Sequence, residues 1–127
     1  MKQAVIVSTA RTALAKSVRG GFNQTHGAVM GGHAVKHAIA KAGIDPAEVE
    51  DVYMGCGMPE GATGNNIARE SAIWAGCPVS TAGVTVNPAP IFSWTSRSRF
   101  LRAVLTTSST IGAPTGTLLG AMLIQYW

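Results

Sequence analysis

Gly83-Val84-Thr85-Val86-Asn87-Pro88-Ala89-Pro90 is the stretch at which the chain changes character, and it contains the last of three predicted strands. Valine and threonine are β-branched, and a run such as residues 84–86 favours an extended strand. Two earlier strands and two helices alternate before it. The order strand, helix, strand, helix, strand predicts an α/β fold with a mostly parallel sheet and helices on its faces.

The first strand and the first helix are predicted from hydrophobic patterning. Residues 4–7 form a continuous apolar run, which is typical of a strand buried on both faces of a sheet. Apolar side chains recur at helical spacing over residues 27–42, and this predicts a helix that ends at Gly43. Gly31 and Gly32 lie inside that helix, where each costs about 1 kcal/mol relative to alanine, so they indicate close packing against another backbone.

A capped turn and a second strand follow. Asp45-Pro46-Ala47-Glu48 combines an N-cap residue, a proline at the first helical position and a glutamate at the third, which predicts a short helical turn with a capping box. Residues 49–54 then return to a strand-like composition. Their alternation predicts Val52 and Met54 on one face of the strand and Tyr53 on the other.

A glycine-rich loop leads into a second helix. The loop over residues 59–66 fits neither of the common phosphate-binding glycine motifs, so a phosphate site is not indicated. The helix is predicted over residues 67–75, with Gly76 as its cap and Pro78 as its stop. Trp74 places a large indole on this short helix, and such a side chain needs a pocket or a partner.

Length and composition indicate one folded unit. A chain of 127 residues can bury the core of one modest domain but not of two ordinary ones. With 46% hydrophobic and 13% charged residues it is too apolar for a disordered protein, and some apolar surface is expected to need a partner. The net charge of +4 comes from scattered lysines and arginines, as on a solvated surface, so no nucleic-acid partner is predicted.

The cysteines and the first residues predict a reducing compartment. Cys56 and Cys77 form no CxxC motif, and the chain begins with a strand-like segment instead of a signal or transit peptide. The apolar stretch at residues 118–127 is too short to span a bilayer. These features predict a soluble cytoplasmic protein without a membrane partner.

Five histidine and cysteine side chains are candidate ligands or catalytic groups: His26, His33, His37, Cys56 and Cys77. His33 and His37 are four residues apart on one helix face, but HxxxH without a third ligand is a weak metal signal. Exposed or lightly packed histidines are the favoured interpretation, and no metal site is predicted. Cys56 lies between two glycines, where packing among small residues is favoured over a nucleophilic role.

Several segments of the first 87 residues resemble the N-terminal part of thiolases. They are AVIVSTART at residues 4–12, GIDPAEVEDV at 43–52, GATGNNIAR at 61–69, and Ala75-Gly76 followed by Pro78. Their order and spacing are those of the family over residues 1–87. On these segments the chain is identified as a thiolase N-terminal segment.

The resemblance implies a partial thiolase-like fold and acyl transfer between coenzyme A thioesters, a reaction of fatty acid metabolism. Coenzyme A is then a substrate and not a resident cofactor, and the partner molecule is an acyl-CoA or a 3-ketoacyl-CoA. In the family one cysteine is acylated, a histidine activates it, and a second cysteine acts as acid and base. A thiolate suits thioester exchange because it is both a good nucleophile and a tolerable leaving group. The family also implies a homo-oligomer or association with a thiolase subunit.

The family pattern Thr-x-Asn-x-x-Cys-x-Ser-Gly is broken where its nucleophile should stand. Thr85 and Asn87 match the pattern, but Pro90 occupies the cysteine position and no cysteine follows it. The histidines and cysteines of this chain match none of the family's other catalytic positions. No catalytic residue is therefore assigned, the residues that bind coenzyme A stay unassigned, and this chain alone is predicted to be catalytically incompetent.

Residues 88–127 form a divergent tail that contains no lysine and no acidic residue. A short helix over residues 98–105, a break at 106–110 and an apolar end at 118–127 are predicted. The change in composition suggests the hypothesis that the tail is not thiolase sequence and arises from a shifted reading frame, a truncated gene or an alternative exon. Three functions stay open: a thiolase-type acyltransferase that is inactive as a single chain, a non-catalytic module that pairs with an intact thiolase, and a gene remnant without a stable fold.

Overall fold

A single sheet with two helices packed on it makes up the described part of the chain. The computed structural model describes residues 4–16, 18–57, 59–86, 102–108 and 118–126. In chain order the elements are β1 (Ala4–Arg11), α1 (Gly27–Ala42), a 3-10 turn (Pro46–Glu48), β2 (Asp51–Gly55), a second 3-10 turn (Gly61–Thr63), α2 (Ile67–Ala75), β3 (Ala82–Val86), β4 (Arg102–Ser108) and β5 (Leu118–Tyr126).

The five described strands are ordered β1-β5-β4-β2-β3 across the sheet. Strand β2 pairs in parallel with β3 on one side and with β4 on the other. Strand β5 is antiparallel to both of its neighbours, β4 and β1. All the described strands except β5 therefore run in the same direction, and the predicted α/β fold with a mostly parallel sheet is confirmed.

The core lies between β2 and the two helices. Val52 and Met54 are almost fully buried, whereas Tyr53 on the opposite face of β2 is half-buried, so the predicted alternation of this strand is confirmed. The Met54 side chain reaches both helices, because it lies beside Gly31 of α1 and its sulfur is 4.0 Å from Ser71 Oγ of α2. Both described helices therefore cover the same face of the sheet.

Two glycines allow α1 and α2 to approach each other closely. A Cβ atom added at Gly32 would lie 2.5 Å from Trp74 Cβ and 3.0 Å from the carbonyl oxygen of Ser71. At Gly31 an added Cβ would lie 2.7 Å from the terminal methyl group of Met54. The predicted close packing against another backbone is confirmed at Gly32, which lies against the backbone of α2, whereas the neighbours of Gly31 are the side chains of Met54 and Ser71.

The helix ends follow the local signals in the sequence. Gly43 and Gly76 close α1 and α2 in the left-handed conformation, at φ of 70° and 92°, where glycine avoids the steric cost of a Cβ atom. Asp45 and Glu48 form both hydrogen bonds of the predicted capping box. Neither described helix has the length and apolarity that a membrane crossing requires.

The prediction that residues 4–7 are buried on both faces of the sheet is wrong. Val5, Ile6 and Val7 are 39%, 61% and 38% exposed. Strand β1 is at an edge of the described sheet, and α1 contacts it on one side, where the Ser8 hydroxyl donates to the carbonyl of Ala38 at 2.6 Å. An apolar run therefore predicts a strand, but it does not predict whether one or both faces of that strand are covered.

The tail contributes two strands to the sheet. Residues 102–105 belong to β4, so the helix predicted over residues 98–105 is wrong for this part, and residues 98–101 lie outside the described residues. Residues 106–108 also belong to β4, where a break was predicted. The sequence VLTT at residues 104–107 is rich in β-branched side chains, and pairing with β2 and β5 satisfies its backbone.

Candidate functional site

The candidate site lies where α2 begins beside β3. Asn66 is the N-cap of α2, and its side-chain oxygen accepts a hydrogen bond from the backbone N–H of Arg69 at 3.2 Å. Its amide nitrogen donates to the carbonyl of Gly83 in β3 at 2.7 Å. One side chain thus satisfies a free N–H at the helix start and ties the helix to the strand.

Thr85 completes this connection from the strand. Its hydroxyl donates to Asn66 Oδ1 at 2.9 Å and accepts from the backbone N–H of Ala68 at 3.2 Å. Both roles of the hydroxyl are filled, and a second N–H of the first turn of α2 gains a partner. Asn66, Thr85 and Gly83 with the first turn of α2 are called the β3–α2 junction below.

Gly83 allows the junction to close. An added Cβ at this position would lie 2.5 Å from the Cα atom of Arg69 and would also meet the backbone nitrogen of that residue. Cβ atoms do not approach backbone atoms so closely. The start of α2 therefore lies directly against β3 only because the strand has glycine at this point.

Arg69 fixes the segment that enters β3. Its guanidinium group donates to the carbonyls of Thr81 and Val79. The Thr81 hydroxyl in turn donates to the carbonyl of Val49 at 2.8 Å in a buried position. The planar fork of arginine can bind two carbonyls at once, so this side chain sets the path of residues 79–81.

Pro90, which stands at the predicted nucleophile position, lies outside the described residues, as does Asn87. The described chain leads towards them as far as Val86, whose carbonyl accepts a hydrogen bond from the backbone N–H of Cys56 at 2.9 Å. The ends of β2 and β3 are therefore level, as expected for adjacent parallel strands.

The two cysteines are buried and unpaired. The Cys56 sulfur lies 3.9 Å from the carbonyl oxygen of Thr63, and the side chain is nearly inaccessible to solvent. Burial raises the pKa of the Cys77 thiol. A higher pKa lowers the fraction of thiolate, which is the nucleophilic form, so Cys77 is suited to packing and not to acyl transfer.

The three histidines are exposed, as predicted. His26 is the N-cap of α1, and its Nδ1 accepts from the backbone N–H of Ala28 at 3.2 Å. His33 and His37 lie on α1 with ring centroids 4.2 Å apart. Within the described ranges, no three side chains from His, Cys, Asp and Glu gather in a way that would hold a metal ion.

Asn66 and Thr85 are recognisable in the sequence from the family resemblance, but their hydrogen bond to each other is not predicted from it. One signal was present, because Asn66 directly precedes a predicted helix and asparagine is a favoured N-cap. The described polar atoms of the β3–α2 junction pair with one another. The junction can therefore hold backbone geometry, but it supplies neither a nucleophile nor a base.

Comparisons with known proteins agree with the resemblance. A family model described as thiolase, N-terminal domain, matches residues 4–116. The 3-ketoacyl-CoA thiolases of Vibrio vulnificus and Idiomarina loihiensis are 38% and 41% identical to the chain over 88 residues, and that of Bacillus subtilis is 37% identical over 87 residues. These alignments include 68% of this chain and 22% or 23% of each relative. The chain therefore spans less than a quarter of the length of the relatives that it matches.

Proposed function

Because the chain belongs to the thiolase family, we propose that its ancestral chemistry is acyl transfer between coenzyme A thioesters and that this chain alone does not complete the reaction. The substrate class is acyl-CoA or 3-ketoacyl-CoA, since the relatives are named 3-ketoacyl-CoA thiolases. Residues 1–87 are the thiolase N-terminal segment in this proposal, and residues 88–127 are a divergent tail. The free cysteines Cys56 and Cys77 are compatible with a reducing, cytoplasmic location.

One observation carries the proposal: the approach to the nucleophile position is kept, whereas the nucleophile is not. Thr85, which matches the family pattern, is held by hydrogen bonds in the β3–α2 junction. Five residues further along the chain, Pro90 stands at the position of the family's acylated cysteine. A proline side chain has no lone pair with which to attack a thioester.

The thiols in the described part of the chain do not replace the missing nucleophile. Cys56 and Cys77 are both buried, and the pKa of Cys77 is raised by that burial. The exposed histidines lie on α1 or at its N-cap, and none of them takes part in the hydrogen bonds described for the β3–α2 junction. Acyl transfer by this chain would therefore need residues from another polypeptide.

We expect no thiolysis when the purified 127-residue chain is incubated with acetoacetyl-CoA and coenzyme A. The physical reason is the lack of a thiolate at position 90 to accept the acyl group. Formation of acetyl-CoA is measured by chromatography, with an intact 3-ketoacyl-CoA thiolase assayed in parallel. Turnover that rises in proportion to the concentration of the chain would overturn this assignment.

A second candidate function is a non-catalytic module that pairs with an intact thiolase subunit. It is favoured by large apolar side chains that are exposed on and beside α2: Ile73 (54%), Trp74 (62%) and Val79 (81%). The Trp74 Cβ atom packs against Gly32 of α1, and the residue as a whole is 62% exposed. Exposed large apolar side chains gain free energy when a partner covers them.

In the pairing test, the chain is co-expressed with an intact 3-ketoacyl-CoA thiolase and the mixture is separated by size exclusion. We expect the two polypeptides to co-elute and Trp74→Ser to reduce the co-eluting fraction severalfold, because indoles at interface centres carry much of the binding energy. Leu14→Ser is the matched control, since Leu14 is 63% exposed but lies in the connection after β1. If the wild-type chain elutes alone at every concentration, the pairing function is wrong.

A further inference from the structure

One exposed surface of α1 carries two imidazole rings in contact. His33 and His37 are one helical turn apart, their ring centroids are 4.2 Å apart, and the ring planes are inclined by 60°. Both side chains are exposed. The two rings therefore share one patch of solvent, and a small ion in that patch can reach both of them.

We propose that His33 and His37 form a two-ligand site for a divalent late transition-metal ion, with Cu²⁺ preferred over Ni²⁺ and Zn²⁺. Neutral imidazole is a good ligand for all three ions, and the affinity of nitrogen sites generally peaks at Cu²⁺. Imidazole nitrogens bind such ions at roughly 2.0–2.1 Å, so two nitrogens on adjacent coordination positions lie about 3 Å apart. Rings with centroids 4.2 Å apart need only side-chain rotation to present their nitrogens in this way.

The backbone beneath the pair is rigid. Ala34, Val35 and Ala38 are almost fully buried against the core, and Gly43 closes the helix with two hydrogen bonds to carbonyls of the last turn. The turn that carries both histidines is therefore ordered before any ion binds. Little conformational entropy of the backbone is lost on binding, which favours the chelate.

The surroundings leave room for solvent ligands. In the part of the chain that the structure covers, no third His, Cys, Asp or Glu side chain joins the pair, so water or a small anion supplies the other coordination positions. Lys41 lies one turn beyond His37, but its Nζ donates to the carbonyl of Thr9 at 3.3 Å, which holds that charge against β1. Neither histidine belongs to the β3–α2 junction.

The proposal is tested by titrating the full chain with Cu²⁺ alone and recording electron paramagnetic resonance spectra. We expect one Cu²⁺ per chain with a hyperfine pattern from two equatorial nitrogens. His37→Ala should weaken binding about tenfold and leave one such nitrogen, because the second ligand no longer binds as part of a chelate. Circular dichroism checks that the variants stay folded, as expected for exposed positions.

The matched control keeps the number of histidines and changes only their spacing. In His37→Ala/Ala40→His the second imidazole moves to an exposed position seven residues from His33, roughly 10 Å away along the helix and too far to share one ion. We expect this variant to bind Cu²⁺ as weakly as His37→Ala. If the wild type and both variants bind Cu²⁺ equally, or if the wild-type spectrum shows fewer than two nitrogens, the proposed site does not exist.

Discussion

Gly83→Val is expected to destabilise the chain by about 3 kcal/mol, at the upper end of the cost of overpacking a core. Strand propensity alone predicts the opposite sign, since valine is favoured over glycine in a strand by up to about 1 kcal/mol. The steric term dominates because a Cβ atom at residue 83 would lie 2.5 Å from the Cα atom of Arg69. Backbone cannot rotate away as a flexible side chain can, so α2 must move off β3. Urea unfolding followed by circular dichroism measures the change.

The control for this prediction is a glycine with space around it. An added Cβ at Gly21 meets nothing within 4 Å, so Gly21→Val should change the free energy of unfolding by less than about 0.5 kcal/mol. Equal stability of the Gly83→Val variant and the wild type would mean that α2 does not lie against β3 in solution. The β3–α2 junction would then be wrong as well.

The helices were the most predictable part of the fold, because their signals are local. Gly43 and Gly76 each follow the last apolar residue of a periodic segment, and both adopt the left-handed conformation. The capping box at Asp45 and Glu48 depends on residues three apart. In each case the interacting groups are neighbours in the sequence, so the pattern and the structure carry the same information.

The burial of β1 and the nature of β4 could not be predicted in the same way. Exposure of Ile6 depends on the position of β1 at the edge of the described sheet, where its described neighbour β5 comes from residues more than 100 positions later. Residues 104–107 fit a strand or a buried helix equally well on periodicity. These residues form a strand because β4 pairs with β2 on one side and with β5 on the other.

The candidate site was predictable in composition but not in arrangement. The resemblance located Thr85 and the segment that contains Asn66, yet these residues are 19 positions apart and meet only because α2 packs on β3. In the sequence, Gly83 has only the features of a residue near the start of a strand. Its contact with Arg69 is apparent only from the structure. A single sequence therefore does not predict the close approach of α2 to β3.

The proposed loss of the nucleophile separates the fold of this chain from its activity. The β3–α2 junction needs Asn66, Gly83 and Thr85, and all of them are present with satisfied hydrogen bonds. The proposed function places Pro90 where the family has its acylated cysteine. Under that proposal, interactions that hold a strand and a helix together persist where the reacting group is absent, because function depends on the site and not on the fold.

Asn66→Ala is expected to lower the free energy of unfolding by about 3 kcal/mol, the sum of roughly 1 kcal/mol for a lost helix N-cap and about 1 kcal/mol for each of the lost hydrogen bonds to Gly83 and Thr85. Asn66→Asp separates the Gly83 contact from the other two contributions. Aspartate keeps an oxygen that caps α2 and accepts from Thr85, and its charge suits the helix N-terminus, but it cannot donate to the Gly83 carbonyl. This variant should therefore lose only about 1 kcal/mol in urea unfolding.

If the alanine and aspartate variants are equally destabilised, the cap contributes nothing to stability and the contact with the strand alone holds the junction. If neither variant is destabilised, Asn66 does not join α2 to β3.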